Sequence, residues 1–384
     1  MNYRNLGKTN IKVSEIGMGG EAFENKTFEY CEEIIDFAME KEINFFDIYN
    51  SSPKVRENVG KVLSKYPRES FIIEGHLGTT WENNQYKRTR DIKEVIRSYE
   101  EFLNKMNLDY VDVGMIHYID DDKDFDNVFN GQIMEYAMKL KNDGIIKILG
   151  ISTHNTEIAF KAVESGIIDV ILFSLNPAYD MLPPSEDVNI LFEEETFKNR
   201  EYKGIDSRRD ELYKICESKR VSLTVMKGFA AGLLLNEKKS PFGKALTAIQ
   251  CLHYCLTRPS VASVVAGLWS KEQILEAVSY YSASDKEKDF SEIISKAPRS
   301  SFDGHCMYCG HCAPCTKNID IALVNKYVDL YEIQDEKPET LEEHYRLLEH
   351  HGGDCIGCGV CLKNCPFNVK IIDKMKEAFK LFGY

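Results

Sequence analysis

Eight short apolar runs rich in β-branched residues alternate with longer amphipathic, charged segments between residues 14 and 283, and few architectures accept that rhythm. The strand candidates are residues 14–17, 44–49, 71–77, 110–117, 146–152, 170–176, 222–228 and 261–267. Helical periodicity follows most of them, as over residues 27–42, where Thr27 is a candidate N-cap, and over 91–106. Eight parallel strand-helix units are what a (β/α)8 barrel requires. A doubly wound open sheet is the competing architecture, because Gly17-x-Gly19-x-x-Ala22 fits the relaxed dinucleotide fingerprint. That fingerprint should open its helix directly, so that backbone amides face a pyrophosphate, yet Phe23 to Lys26 intervene before Thr27. The glycines read instead as a strand-end loop, and the expected class is α/β with a (β/α)8 TIM barrel.

Ahead of the first strand, MNYRNLGKTNIKV reads as a small hairpin turning at residues 7–10, a candidate plug for the barrel floor. Residues 180–206 form a long acidic stretch containing Pro183-Pro184, either a lid or substrate loop or a solvated insertion. After Ala283 the chain turns charged (SDKEKDFSE), which puts the expected domain boundary near residue 285: a barrel over 1–285 and a second unit over 286–384.

Lys and Arg number 48 against 61 Asp and Glu, and a net charge of −13 argues against a nucleic-acid partner. No apolar run approaches the roughly 18 residues of a membrane span. The polar N-terminus MNYRNLGK carries no secretory core, so the sequence predicts a cytoplasmic, reduced protein rather than a disulfide framework.

Eight of the twelve cysteines fall between Cys306 and Cys365. The first run is Cys306-x2-Cys309-x2-Cys312-x2-Cys315, and the second is Cys355-x2-Cys358-x2-Cys361-x3-Cys365-Pro366. The second is the bacterial ferredoxin signature, in which the fourth cysteine ligates the other cluster. On that logic Cys306, Cys309, Cys312 and Cys365 hold one 4Fe-4S cluster, and Cys315, Cys355, Cys358 and Cys361 hold another. Two structural zinc sites are the alternative, although zinc is usually served by two separated pairs rather than dense quadruplets. The first run departs from the ferredoxin spacing, with x2 before Cys315 and Thr316 after it. Between the runs, residues 319–333 and 341–349 read as helices, the second opened by a Thr340-x-x-Glu343 capping box, so the module resembles α-helical dicluster ferredoxins. His305, His311, His344, His350 and His351 are expected on the surface or beside the ligands. Cys31, Cys216, Cys251 and Cys255 lie on barrel helices as core residues.

Chemistry in such a barrel lies at the C-terminal strand ends. The residues there are Asp47, His76, His117, Ser152 with His154, Asn176, Lys227 and Gly267. Three of the barrel's four histidines thus converge on one mouth with a carboxylate and a lysine, a candidate site.

The segments LGKTNIKVSEIGMGG, FFDIY, LDYVDVGMIH, GISTHN, MKGFAAGLL and SVVAGLWSKEQILEA resemble the aldo-keto reductases over nearly all of residues 1–283, within them the subgroup carrying a C-terminal iron-sulfur domain. The resemblance implies a barrel that binds NAD(P)H and reduces carbonyls by hydride transfer with an Asp, Tyr, Lys, His tetrad. Asp47 and His117 match the Asp and the His. The tyrosine position holds Ser52, and the lysine that ends strand three is replaced by His76. A serine hydroxyl is too weak an acid to protonate an alkoxide near neutral pH, whereas an imidazolium is competent, so His76 or His117 is the expected acid with Asp47 holding the charge. Tyr49, two residues after Asp47 on the same strand face, is another donor candidate. By the same resemblance Ser152 and Asn176 face the nicotinamide, with Leu172 where a glutamine is expected. Lys227 and Gly228 close strand seven. Gly267, Ser270, Lys271 and Gln273 open a helix whose N-terminus suits a phosphate. Ala277 stands where an asparagine usually meets the adenine, and Gln273 where NADPH-preferring members carry an arginine.

Nicotinamides move two electrons and iron-sulfur clusters one, so coupling them calls for a flavin such as FMN or a radical-tolerant substrate. The expectation is an iron-sulfur oxidoreductase acting on a small organic substrate, with a ferredoxin or flavoprotein as possible redox partner. The alternatives are a non-catalytic redox sensor on a degenerate reductase barrel, and a lyase or isomerase using the histidine pair as acid and base.

Overall fold

The computed structural model describes residues 1–181, 205–295, 304, 306, 308–310, 312–332, 339–365 and 367–384. At the N-terminus β1 (Tyr3–Asn5) and β2 (Lys12–Ser14) pair antiparallel. The next strand is β3 (Ile16–Gly19), which opens a closed barrel of eight parallel strands. It continues through β4 (Phe45–Ile48) and β5 (Ile72–Leu77), and is interrupted by the antiparallel hairpin of β6 (Thr79–Glu82) and β7 (Gln85–Arg88). It resumes with β8 (Val111–Ile116), β9 (Ile146–Thr153), β10 (Val170–Ser174), β11 (Ser222–Met226) and β12 (Val261–Ala266), and β12 closes on β3.

The eight strands match the expected ones, with one shift. The first was expected over residues 14–17 but begins at Ile16, because Lys12–Ser14 is taken up by pairing with β1. After Gly19 the chain makes one short 3-10 turn, Gly20–Phe23, and the helix starts only at Phe28, where the Thr27 hydroxyl accepts from the Tyr30 amide at 3.2 Å. Gly17 and Gly19 therefore lie within β3 itself rather than in the expected strand-end loop, and with the barrel closed the doubly wound alternative falls away.

Alternate residues of each strand point inward, and Phe45, Ile72, Val113, Met115, Ile148 and Val170 fill the lower interior. Leu6 and Val13 of the N-terminal hairpin join that cluster with no exposure, so the hairpin does plug the floor. Burying each such side chain contributes about 1.5–3 kcal/mol. Cys31, Cys216, Cys251 and Cys255 are buried on barrel helices as expected. The ends of the segment 180–206 meet, the Asp206 amide donating to the Asp180 carbonyl at 2.6 Å, while residues 182–204, the body of the expected lid or solvated insertion, lie outside the described residues.

Packing on the barrel continues past residue 285, since buried Phe290 meets the ring of Tyr254 edge-on at 5.2 Å between centroids. The C-terminal unit is helical: Ile321–Glu332, Glu339–Arg346, Val360–Asn364 and Ile371–Phe382. Tyr345 stacks on Phe382 at 4.0 Å between centroids to hold the second and fourth together. Lys326 reaches Glu217 of the barrel helix Ser207–Lys219 at 3.8 Å, and the Arg258 guanidinium lies over the Tyr308 ring. His305, His311, Pro366 and the Thr340 side chain of the expected capping box lie outside the described residues.

Candidate active site

Strand parity builds the site. Asp47 on β4 and Glu74 on β5 are direct cross-strand partners, and His76, two residues beyond Glu74, points the same way one layer higher. His117 follows the end of β8 immediately. All four are buried, Glu74 completely. His76 Nε2 lies 2.8 Å from Asp47 Oδ1 and 3.8 Å from Glu74 Oε1, and His76 Nδ1 lies 2.8 Å from His117 Nδ1. Neither Glu74 oxygen has a hydrogen-bond partner.

His117 Nε2 in turn contacts the hydroxyl of Tyr86. Tyr86 lies on β7, opposite Trp81 of β6, in the hairpin that follows β5. Gly78, with φ +96°, turns the chain out of the barrel, and a Cβ there would lie 2.7 Å from Arg90 Nη1. Asn83 and Asn84, both with positive φ, make the tight turn that hairpins favour. The hairpin is fastened at its base: the Thr89 amide donates to the Gly78 carbonyl at 2.8 Å, and the Ser51 hydroxyl donates to the Thr80 carbonyl at 2.6 Å. Arg90 donates to the carbonyls of His117 (2.8 Å) and Tyr118 (2.7 Å) while paired with Asp124, so it anchors both the hairpin and the histidine backbone.

The electrostatics assign the protons. Burial pulls His76 down, but the charge and hydrogen bond of Asp47, aided by Glu74, outweigh it and raise His76 to about 9. Burial holds His117 well below its ordinary value, and the neighbouring charges of His76, Arg90 and Arg88 push the same way. Burial raises Glu74 from 4.5 to about 7, with the Asp47 charge adding to it. Burial also raises Tyr86, partly offset by Arg88 and Arg90, so its phenol stays protonated at neutral pH. At that pH the arrangement is a charged His76, a neutral His117 and a neutral phenol.

Tyr49, the other donor candidate beside His76 and His117, is engaged elsewhere. Its hydroxyl donates to Glu21 Oε1 at 3.0 Å, while its ring lies parallel to His117 with centroids 6.0 Å apart. Burial and that carboxylate raise it. The Tyr49 ring is a wall beside both histidines, and Tyr86, which the sequence reading did not single out, is the phenol whose hydroxyl contacts His117. The signal for it was the Asn83-Asn84 dipeptide between Thr79-Thr80-Trp81 and Tyr86. The signal for Glu74 was an acidic residue at inward parity in the apolar strand IIEGHL.

Of the expected cofactor residues, Ser152 ends the inward face of β9 with a buried hydroxyl that has no partner. Asn176 is committed to the fold: its Oδ1 accepts from the amides of Ala178 and Tyr179 at 2.9 Å each, and its Nδ2 donates to the Lys227 carbonyl. Lys227 itself has a left-handed backbone just past β11, followed by buried Gly228. Exposed Gly267 leads to the helix Lys271–Val278, capped by the Ser270 hydroxyl accepting from the Gln273 amide. The Gln273 side chain folds back onto the Trp269 amide at 2.7 Å, and Lys271 pairs with Glu33. Inward Leu172 belongs to the barrel's inner cluster. His154 lies just outside the mouth, its Nδ1 2.9 Å from Asp120 Oδ2.

The cysteines gather as two quartets. Cys306, Cys309, Cys312 and Cys365 line one small cavity, and Cys315, Cys355, Cys358 and Cys361 line another. The Gly304 amide donating to the Phe367 carbonyl at 2.7 Å brings the two runs side by side. The Asn325 amide donates to Cys306 Sγ at 3.4 Å, and Thr316 Oγ1 lies 3.3 Å from Cys358 Sγ. Among the described residues, Asp47, Glu74 and His76 form the one trio of such ligand types whose atoms all lie within 4.8 Å of each other, so the cysteine sulfurs are spread more widely.

A profile of the aldo/keto reductase family matches residues 15–247. The uncharacterized oxidoreductase YqkF of Bacillus subtilis is 26% identical over 299 residues, covering 72% of this chain and 90% of that protein. L-galactose dehydrogenase of Arabidopsis thaliana is 26% identical over 307 residues, covering 72% of this chain and 86% of its own length. Among solved structures, the holo form of the aldo-keto reductase AKR11C1 from Bacillus halodurans superposes with a TM-score of 0.60 at 22% identity, over 78% of this chain and 97% of that one. That likeness is one of fold.

Proposed function

The chain belongs to the aldo/keto reductase family, and on that premise we propose that it is an oxidoreductase that reduces a small organic carbonyl with NAD(P)H, using Tyr86 as the proton donor. The observation that carries this reading is the contact between the Tyr86 hydroxyl and His117 Nε2. The buried, unpartnered hydroxyl of Ser152 fits a nicotinamide carboxamide at the mouth, since an orphaned polar group there gains a partner when the cofactor binds. A bound reduced nicotinamide would supply hydride to the carbonyl carbon.

What the chain must supply is a proton at the carbonyl oxygen. Charged His76 donates from Nε2 to Asp47 and from Nδ1 to His117 Nδ1. Neutral His117 then carries its own proton on Nε2 and donates it to the Tyr86 oxygen, which turns the phenol hydrogen outward to the substrate. As Tyr86 releases its proton, His117 replaces it and His76 replenishes His117. The charge ends as a neutral His76 beside Asp47, and no phenolate persists. The family's lysine is replaced by an imidazolium, and its tyrosine by a phenol delivered from a hairpin.

Titration with NADH and NADPH, followed by the fluorescence of Trp81 and Trp269, and turnover of an aldehyde panel followed by loss of reduced-nicotinamide absorbance test the reading. Saturable binding and turnover are expected. Silence with both cofactors would favour the redox sensor instead.

We further propose that the two cysteine quartets each bind a 4Fe-4S cluster. One zinc ion with Zn–S bonds of about 2.3 Å needs its sulfurs about 3.8 Å apart, whereas no three cysteine sulfurs among the described residues lie within 4.8 Å of one another. A cubane spans a wider set, and donors to sulfur such as Asn325 are the kind that tune a cluster.

A further inference from the structure

The two quartets differ in setting. Cys309 of the first lines a cavity of about 760 Å³ together with Arg4, Ser222 and Lys326, at the barrel end opposite the mouth. The second quartet faces outward. Cys358 is the one cysteine of the chain that is exposed, and beside it Ile356 is 63% and Leu362 40% exposed. Phe379, whose ring would meet a Cβ on Gly353 at 2.7 Å, adds another apolar group at 53% exposure. Half of the exposed large hydrophobic side chains among the described residues lie between Leu347 and Tyr384. Such a concentration marks a contact surface.

Its charge differs from that of the rest of the molecule. From Leu347 to Tyr384 there are five lysines against four acidic residues, in a chain of net charge −13. Exposed Lys317 lies in the wall of the second cavity with Cys358, and exposed Lys363 follows Leu362. An apolar centre with a basic rim at an exposed metal ligand suits a partner with an acidic rim. A second copy docked face to face would set lysines against lysines.

We propose that this surface docks an acidic one-electron carrier protein of the ferredoxin class, which exchanges electrons with the cluster held by Cys315, Cys355, Cys358 and Cys361. The inference rests on the cluster reading above. In the step the reduced carrier loses one electron, the cluster passes from the 2+ to the 1+ state, and no proton or bond moves. The first quartet, nearer the barrel floor, is the next stop for that electron.

The test uses the full-length protein purified anaerobically, with iron and sulfide measured on every variant. A reduced plant-type [2Fe–2S] ferredoxin is mixed with it in a stopped-flow instrument over a range of ionic strength, and fluorescently labelled ferredoxin is titrated for binding. We expect the exchange rate to fall by about tenfold or more between low and moderate salt. Lys317→Glu with Lys363→Glu should slow it by about tenfold or more and weaken binding in parallel, while reduction by dithionite keeps its wild-type rate. Cluster-loaded protein whose exchange and binding ignore both salt and charge reversal overturns the docking surface alone. Tighter binding of basic cytochrome c than of ferredoxin does the same. Protein without iron overturns the cluster reading, and the docking surface with it.

Discussion

The phenol of Tyr86 rests on Nε2 of His117, although one residue comes from a hairpin outside the barrel and the other from the end of a barrel strand. Behind that contact His117, His76 and Asp47 are linked in series by 2.8 Å hydrogen bonds. Ser52, at the position where the family resemblance implies a tyrosine, merely precedes the helix Pro53–Leu63. On the proposed reading, the acid missing from that position is supplied by a different part of the chain.

His76 controls the pH response. Its value is raised from 6.5 to about 9, so the relay holds its proton below that range and carbonyl reduction should fall as pH rises through about 9. Stability has the same sign: what His76 contributes is fully present below 6.5 and is lost as pH rises toward about 9. His76→Gln should lower kcat about 10²-fold or more and abolish the alkaline limb, measured as kcat against pH.

Glu74 sets the position of that limb. Its carboxylate is one of the groups that raise His76, so Glu74→Gln should move the alkaline limb to lower pH with Tyr86 still in place. Because Glu74 is itself raised from 4.5 to about 7, its own contribution to stability is present in acid and lost as pH rises through about 7. The variant should therefore gain on the wild type in thermal melts above pH 7.

Ser152 separates cofactor binding from folding. Its hydroxyl has no partner in the protein, so Ser152→Ala should leave the melting temperature unchanged. Loss of one hydrogen bond worth about 0.5–1.5 kcal/mol should weaken nicotinamide binding by about two- to tenfold, read by fluorescence titration.

The cysteine quartets predict composition. Anaerobically purified protein should carry about eight irons and eight sulfides per chain. Cys312→Ala, which removes a buried member of the first quartet, should lower that content while the barrel still binds nicotinamide.

The barrel was legible because its strands are apolar runs of regular spacing, and position at the C-terminal strand ends brought Asp47, His76 and His117 together. Asn176 looked like a cofactor residue because strand-end position was the only guide. Its amide is consumed in capping the short helix that follows, a local bond the position alone does not announce. Tyr49 shared the correct strand face, but Glu21 on the neighbouring loop captures its hydroxyl. Tyr86 was hidden for the opposite reason: it reaches His117 through the fold-back of a hairpin, a relation between distant positions that no periodicity encodes. The cysteine quartets were readable since their spacing carries the pairing rule.

The central claim is that Tyr86 gives the proton. Single-turnover reduction of an aldehyde by the nicotinamide-loaded protein, compared among wild type, Tyr86→Phe and Ser52→Ala, tests it most directly. The account predicts a loss of about 10²- to 10⁴-fold in Tyr86→Phe with cofactor affinity retained, and a rate near wild type in Ser52→Ala. A Tyr86→Phe protein that turns over at the wild-type rate would contradict it.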